Sequence, residues 1–277
     1  MRIQSGLQAS AGGGEIYVQS WLPEQAPRGV VVLVHGLAEH GGRYGELVGR
    51  LTGRGLAVYA IDHRGHGRSP GPRAMIGRFR WLVEDVYTRL EVARGAHPGL
   101  PLFLLGHSMG GAIALETALS QPVSLAGLVL SAPALGADPA VPALQVAIAR
   151  LLSRVAPSIG VLRLPADAIS RDPLVVSDYE RDPLVYRGSI PARTAVELLQ
   201  AMRGFTARAA ALRVPTLVLH GTADRLVPIA QAQSVWQTFG SADFSVQRYE
   251  GLYHEVFNEP ERARVQADLE AWLEARL

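Results

Sequence analysis

The chain has 277 residues, of which 48% are apolar, and it carries a formal charge of +2. That is enough apolar material for one large core, with or without an insertion. All 27 basic side chains besides histidine are arginine, and they are scattered without a basic tract, which argues against nucleic acid as a partner. There is no cysteine, so disulfides, thiolate metal sites and cysteine nucleophiles are excluded together.

Residues 1–14 include one arginine and no apolar leader core, and no stretch reaches the length and apolarity of a membrane span. The expectation is a soluble, cytoplasmic protein. Glu15 to Leu22 alternates and reads as a strand, with an antiparallel edge as its expected place. Gly29 to Val34 and Leu56 to Ile61 are nearly continuous apolar runs, as are Leu102 to Leu105, Leu125 to Leu130, Val214 to Leu219 and Phe244 to Tyr249. Runs of that kind, separated by helical stretches, predict a mostly parallel sheet covered on both faces, a doubly wound α/β architecture. Function is then expected at the carboxyl ends of the strands.

About eighty residues separate Pro133 from the strand at Val214, too many for one crossover. Residues 135–189 are therefore expected to form an inserted helical cap on a core made of residues 1–134 and 190–277. Within the cap, Val141, Leu144, Ile148, Leu151, Leu152 and Val155 share one helical face. That stripe predicts packing on the main domain; a sharper reading makes it the roof of an apolar substrate channel, with Leu144 and Ile148 as candidate lining residues. The alternative is transient contact with a lipid surface.

The chemistry centres on Gly106-His107-Ser108-Met109-Gly110, set between an apolar strand and a helical segment. In that context G-x-S-x-G forms a nucleophile elbow, a sharp turn that presents the serine hydroxyl. A serine hydroxyl is a poor nucleophile at neutral pH and needs a base held by an acid, which follow it in the order acid, histidine. Of eight histidines, only His220 and His254 lie beyond the elbow. Asp224 falls in the loop after a late strand, and only His254 lies downstream of it. Elimination gives Ser108, Asp224 and His254. His220 is read as structural, and Asp243, Glu250 and Glu255 as surface charges.

The oxyanion of a tetrahedral intermediate needs two N–H donors, expected from the backbone of Met109 and of Leu37 in the His35-Gly36-Leu37 loop. Gly41-Gly42 is expected to let that loop turn tightly. No metal or organic cofactor is required. His254-Glu255-Val256-Phe257-Asn258 lacks the second histidine of a zinc motif, and Gly65-His66-Gly67 is followed by Pro70 where a dinucleotide fingerprint needs glycine. The latter reads as a turn braced by Asp62 and Arg64.

From about Tyr17 to the C-terminal helix the chain resembles the monoacylglycerol lipase group of serine α/β-hydrolases, which overlaps families labelled lysophospholipase or serine aminopeptidase. The most specific element is His35-Gly36-Leu37-Ala38-Glu39-His40-Gly41-Gly42-Arg43-Tyr44, similar to the group's HGxxEHxxRY signature. Asp62 to Ser69, Gly106 to Gly111, Ala223 to Pro228 and Tyr249 to His254 also match. So do Ser170 to Pro173 and Asp182 to Val185 in the cap. The resemblance implies the same triad and oxyanion donors. It implies that Glu39 and Arg43 shape the polar end near the glycerol, or form a buried ion pair that fixes the oxyanion loop. Leu226 is implied to line the pocket.

The expected activity is hydrolysis of a monoacylglycerol or similar single-chain ester through an acyl-Ser108 intermediate, with the small-molecule ester or lipid as partner. Lysophospholipase, broad carboxylesterase or aminopeptidase action is the alternative within that mechanism. An aminopeptidase would want cap acids for the substrate amine, for which Asp167, Asp172, Asp178, Glu180 and Asp182 are candidates. A ligand-binding receptor that kept the fold without turnover is the alternative outside enzymes, and the presence of every chemical group argues against it. Position 108 is not aspartate, as dehalogenases and epoxide hydrolases need. The sequence leaves the oligomeric state open.

Overall fold

The computed structural model describes residues 1–137 and 142–277. Its centre is an eight-stranded sheet in the order β1-β2-β4-β3-β5-β6-β9-β10. Six strands run parallel: β3 (Gly29–Val34), β4 (Leu56–Ile61), β5 (Leu102–His107), β6 (Gly127–Ser131), β9 (Thr216–Gly221) and β10 (Phe244–Tyr249). The continuous apolar runs are explained by burial on both sides. Val30, Val32 and Val34 point to the layer formed with α2 (Phe79–Ala96) and α3 (Met109–Ser120), while Val31 and Leu33 meet α1 (Gly45–Gly53) and α8 (Arg262–Glu274). Side chains alternate along a strand, so helices on both faces demand apolar residues at every position.

The expected edge is elsewhere. β2 (Glu15–Leu22) is antiparallel, but it lies inside the sheet between β4 and β1 (Arg2–Ala9), which forms the edge. β1 gave no signal because its only large apolar side chains, Ile3 and Leu7, are 58% and 61% exposed.

Between β6 and β9 the chain builds α4 (Ala143–Val155), β7 (Gly160–Leu162), α5 (Pro173–Arg181), β8 (Ile190–Pro191) and α6 (Ala192–Arg208). β7 and β8 form a separate antiparallel pair, and α4 packs along α6. α7 (Ile229–Trp236) then follows β9.

The apolar stripe of α4 does not pack on the main domain. Leu144, Ile148, Leu151 and Val155 are 50–71% exposed, and the helix rests instead on Val146 and Ser153. Val141 lies outside the described residues. The helical period located a face correctly; the contact that burial would require is made by the opposite one.

Candidate active site

Ser108 sits where β5 ends and α3 begins, with φ 54° and ψ −117°. An L residue pays strain for that conformation, and it survives only where surrounding structure enforces it. Neighbouring backbone does so here. A Cβ at Gly106 would collide with the Gly110 carbonyl, and one at Gly110 would strike the carbonyl of Val34. The two glycines let the turn close, and the turn aims the serine.

Asp224 follows β9, and its carboxylate is buried. Oδ1 accepts from the N–H groups of Leu226 (2.8 Å) and Val227 (2.9 Å), while Oδ2 lies 2.7 Å from Nδ1 of His254. Burial opposes charge on Asp224, but the facing imidazole and these donors outweigh it and hold the carboxyl below its ordinary range. Burial likewise opposes charge on His254, and Asp224 reverses the sign, raising the imidazole. His107, whose ring centre is 4.7 Å from that of His254, is pushed down to about 3 by burial. A neutral ring therefore stands beside the one that gains a proton. His220 is also buried and kept below its ordinary value, with Nδ1 3.0 Å from the Gly221 carbonyl.

Ser108 and His254 line one cavity of about 170 Å³ together with Leu37, Met109, Glu39 and Leu226. No hydrogen bond joins the serine hydroxyl to the imidazole in this conformation, as is common before substrate fills a site. Among the described residues, the N–H groups of Leu37 and Met109 have no hydrogen-bond acceptor. Leu162, Leu164 and Ile169 from the cap, with Leu198 and Met202 of α6, complete an apolar wall, and Tyr179 borders it.

Leu144 and Ile148 do not belong to that wall. They stand on the outer surface of α4, and the cavity is lined instead by Leu162, Leu164 and the α6 pair Leu198 and Met202. Those four carry no motif; only the i, i+4 spacing on α6 was available to find the last two.

Glu39 and Arg43 form a buried ion pair at 2.9 Å, and Arg43 does not line the cavity. Glu255 is not a surface charge. It is 6% exposed and takes the fork of the Arg43 guanidinium. A partner 212 positions away left no trace in the local sequence. Gly41 and Gly42 open a 3-10 turn without positive φ; the left-handed residue of that loop is Ala38, at φ 70°. Gly65 and Gly67 do adopt positive φ, and Asp62 braces their turn through the Gly41 and Arg68 N–H groups. Among the described residues no cluster of metal-ligating side chains occurs, and no helix is long and apolar enough to cross a membrane.

A mostly parallel sheet, a strained serine on its central turn and a cap closing over it define an α/β-hydrolase, a serine hydrolase of carboxylic esters. Residues 25–261 match the family described as serine aminopeptidase, S33. The chain is 45% identical over 269 residues to a monoacylglycerol lipase of Mycolicibacterium smegmatis, covering 97% of this chain and 96% of that protein. It is 37% identical to the human monoglyceride lipase, covering 90% and 83%. The crystal structure of a Paleococcus ferrophilus monoacylglycerol lipase superposes with a TM-score of 0.86 at 33% identity, covering 95% of this chain and all of that one. The chain belongs to the serine aminopeptidase S33 family.

Proposed function

We propose that the protein hydrolyses monoacylglycerols, with Ser108 as nucleophile, His254 as general base and acid, and Asp224 as the orienting carboxylate. Ser108 Oγ attacks the ester carbonyl carbon while its proton passes to Nε2 of His254. The Leu37 and Met109 N–H groups receive the developing oxyanion, each lowering the barrier by about 3–4 kcal/mol. The carbon–oxygen bond to glycerol breaks as His254 returns the proton to the departing alcohol. Water, deprotonated by the same imidazole, then attacks the acyl-serine and releases the fatty acid.

The observation that carries this reading is the buried Asp224–His254 pair opening onto the cavity that Ser108 lines, with an apolar cap wall opposite. The aminopeptidase alternative finds no support in the cap acids. Among the described residues, none of Asp167, Asp172, Asp178, Glu180 and Asp182 lines the cavity, and the two carboxylates that do, Glu39 and Glu255, are held by Arg43. The test is a rate comparison over monoacylglycerols, lysophospholipids, triacylglycerols and aminoacyl amides, with wild type and Ser108→Ala. Monoacylglycerols should be fastest, and the variant inactive. Amides outrunning every glyceride would sink the reading.

The outward stripe of α4 suits the same substrate, since Leu144, Ile148, Leu151 and Val155 offer apolar surface to a lipid interface. We place the protein in the cytoplasm, acting at membranes from the aqueous side, which cell fractionation checks.

A further inference from the structure

We propose that Arg43 and Glu255 are positioning residues, a strut that holds the loop carrying His254 in register with the loop carrying Leu37. The inference rests on the roles assigned above to Ser108, His254 and the two N–H donors. One guanidinium spans both loops. On one side Arg43 Nη1 donates to Glu39 Oε2 at 2.9 Å, and Glu39 Oε1 accepts from the Gly36 N–H at 2.6 Å and from the Tyr44 hydroxyl at 2.7 Å. Gly36 directly precedes Leu37, so the carboxylate of Glu39 fixes the peptide next to the expected donor. On the other side the same guanidinium forks onto Glu255, with Nη2 2.8 Å from Oε2, and Glu255 directly follows His254.

Glu255 is held from three further directions. Asn258 Nδ2 donates to its Oε2 at 2.7 Å, its own N–H donates to the Ile169 carbonyl in the cap, and Asn258 N–H closes onto its carbonyl. The Tyr179 ring of α5 covers the guanidinium at 4.8 Å. All three charged side chains are 9% exposed or less. Two loops far apart in sequence thus share one bidentate cation, which fixes an angle as well as a distance. Attack requires the base at the serine Oγ and the N–H donors at the carbonyl oxygen to be held together around one carbon, and a displacement of about 1 Å costs on the order of a hundredfold in rate.

A purely structural ion pair would affect folding and nothing else, so the test reads chemistry in folded protein. The groups facing His254 are Asp224 and, behind it, His220; His107 from the end of β5; Glu39 from the oxyanion loop; and Glu255 and Arg43. Glu255→Gln keeps the shape and removes one negative charge near the imidazolium. We expect kcat to fall about tenfold or more with KM within about twofold, and the acid limb of the kcat/KM profile to move to lower pH. Arg43→Lys keeps the charge and loses the fork, so kcat should fall similarly with the limb unmoved. Asn258→Ala removes a lesser hold on Glu255 and should cost about threefold; it decides the matter if Glu255→Gln does not fold.

The rate of fluorophosphonate labelling at Ser108, measured across pH on protein with a confirmed melting transition, is the second readout. Variants that fold, label and turn over as wild type does, with an unmoved acid limb, overturn the strut and leave the catalytic roles standing. Wild-type protein that neither labels at Ser108 nor hydrolyses any ester overturns the catalytic roles, and the strut with them.

Discussion

The two walls of the cavity are built on different terms. On the core side, Asp224, His254, Glu39 and Glu255 each have fixed hydrogen-bond partners, and Ser108 occupies a backbone conformation that neighbouring glycines enforce. On the facing side, Leu162, Leu164 and Ile169 of the cap and Leu198 and Met202 of α6 offer dispersion contact, with Tyr179 as the polar exception among the cap residues. Hydrogen bonds and charges have sharp geometric optima, whereas apolar contact tolerates exchange at similar volume. On the proposed roles, chemistry falls in the wall that cannot be altered cheaply, and substrate fit in the wall that can.

The comparison breaks most visibly at Asp224. Asp224→Asn keeps the size of the side chain but can donate toward Nδ1, leaving the imidazole in the wrong tautomer. We expect kcat to fall about 10⁴-fold with the fold intact, read as steady-state hydrolysis of a nitrophenyl ester. A fall of tenfold or less would mean that Asp224 does not orient the base. By contrast, Met202→Leu on the facing wall should leave kcat within a few-fold and change the preferred acyl length.

The same asymmetry governs what the sequence could reveal. The positions of Ser108, Asp224 and His254 were legible because each follows a strand end in a fixed order, and order survives in one dimension. The parallel strands were legible because burial on both faces leaves uninterrupted apolar runs such as Val30 to Val34. β1 was not, since an exposed edge strand imposes no pattern on its side chains. Glu255 and Asn258 were not, because their roles depend on Arg43 arriving from the other end of the chain. On α4 the period was visible while the direction of its apolar face was not; helical spacing says which residues share a face and nothing about what that face meets.

A second test separates the walls by pH. No histidine lies between Ser108 and Leu219, so the cap carries none, while the core buries several. Burial pushes His35 down to about 4 and His66 to about 3, as it does His107. In the unfolded chain these side chains bind protons from about pH 6.5 downward, whereas in the folded core they stay neutral until much lower pH. The unfolded state thus binds more protons across that window, and stability falls with pH by up to about 1.4 kcal/mol per unit for each such group. The lowered carboxyl of Asp224 acts in the same direction further down, because its stabilisation is lost as it protonates. The raised imidazole of His254 opposes this with the contribution of a single group, so the urea midpoint should drop steadily from about pH 6 toward pH 4.5. A midpoint unchanged over that range would contradict the neutral buried histidines.

The smallest effect is expected on the outer face of the cap, where Leu144 and Ile148 are 71% and 50% exposed. Replacing both with serine removes little contact made inside the folded molecule, so stability should stay within about 0.5 kcal/mol per site. Turnover of a short, soluble nitrophenyl ester should be unchanged, since neither residue lines the cavity. Binding to phosphatidylcholine vesicles should weaken about thirtyfold, because each of the two side chains contributes about 1 kcal/mol when half of it is buried in the interface. Hydrolysis of vesicle-borne monoacylglycerol should follow the binding. Loss of both activities together would place these residues over the cavity, whereas loss of neither would remove the lipid surface from the role proposed for the stripe.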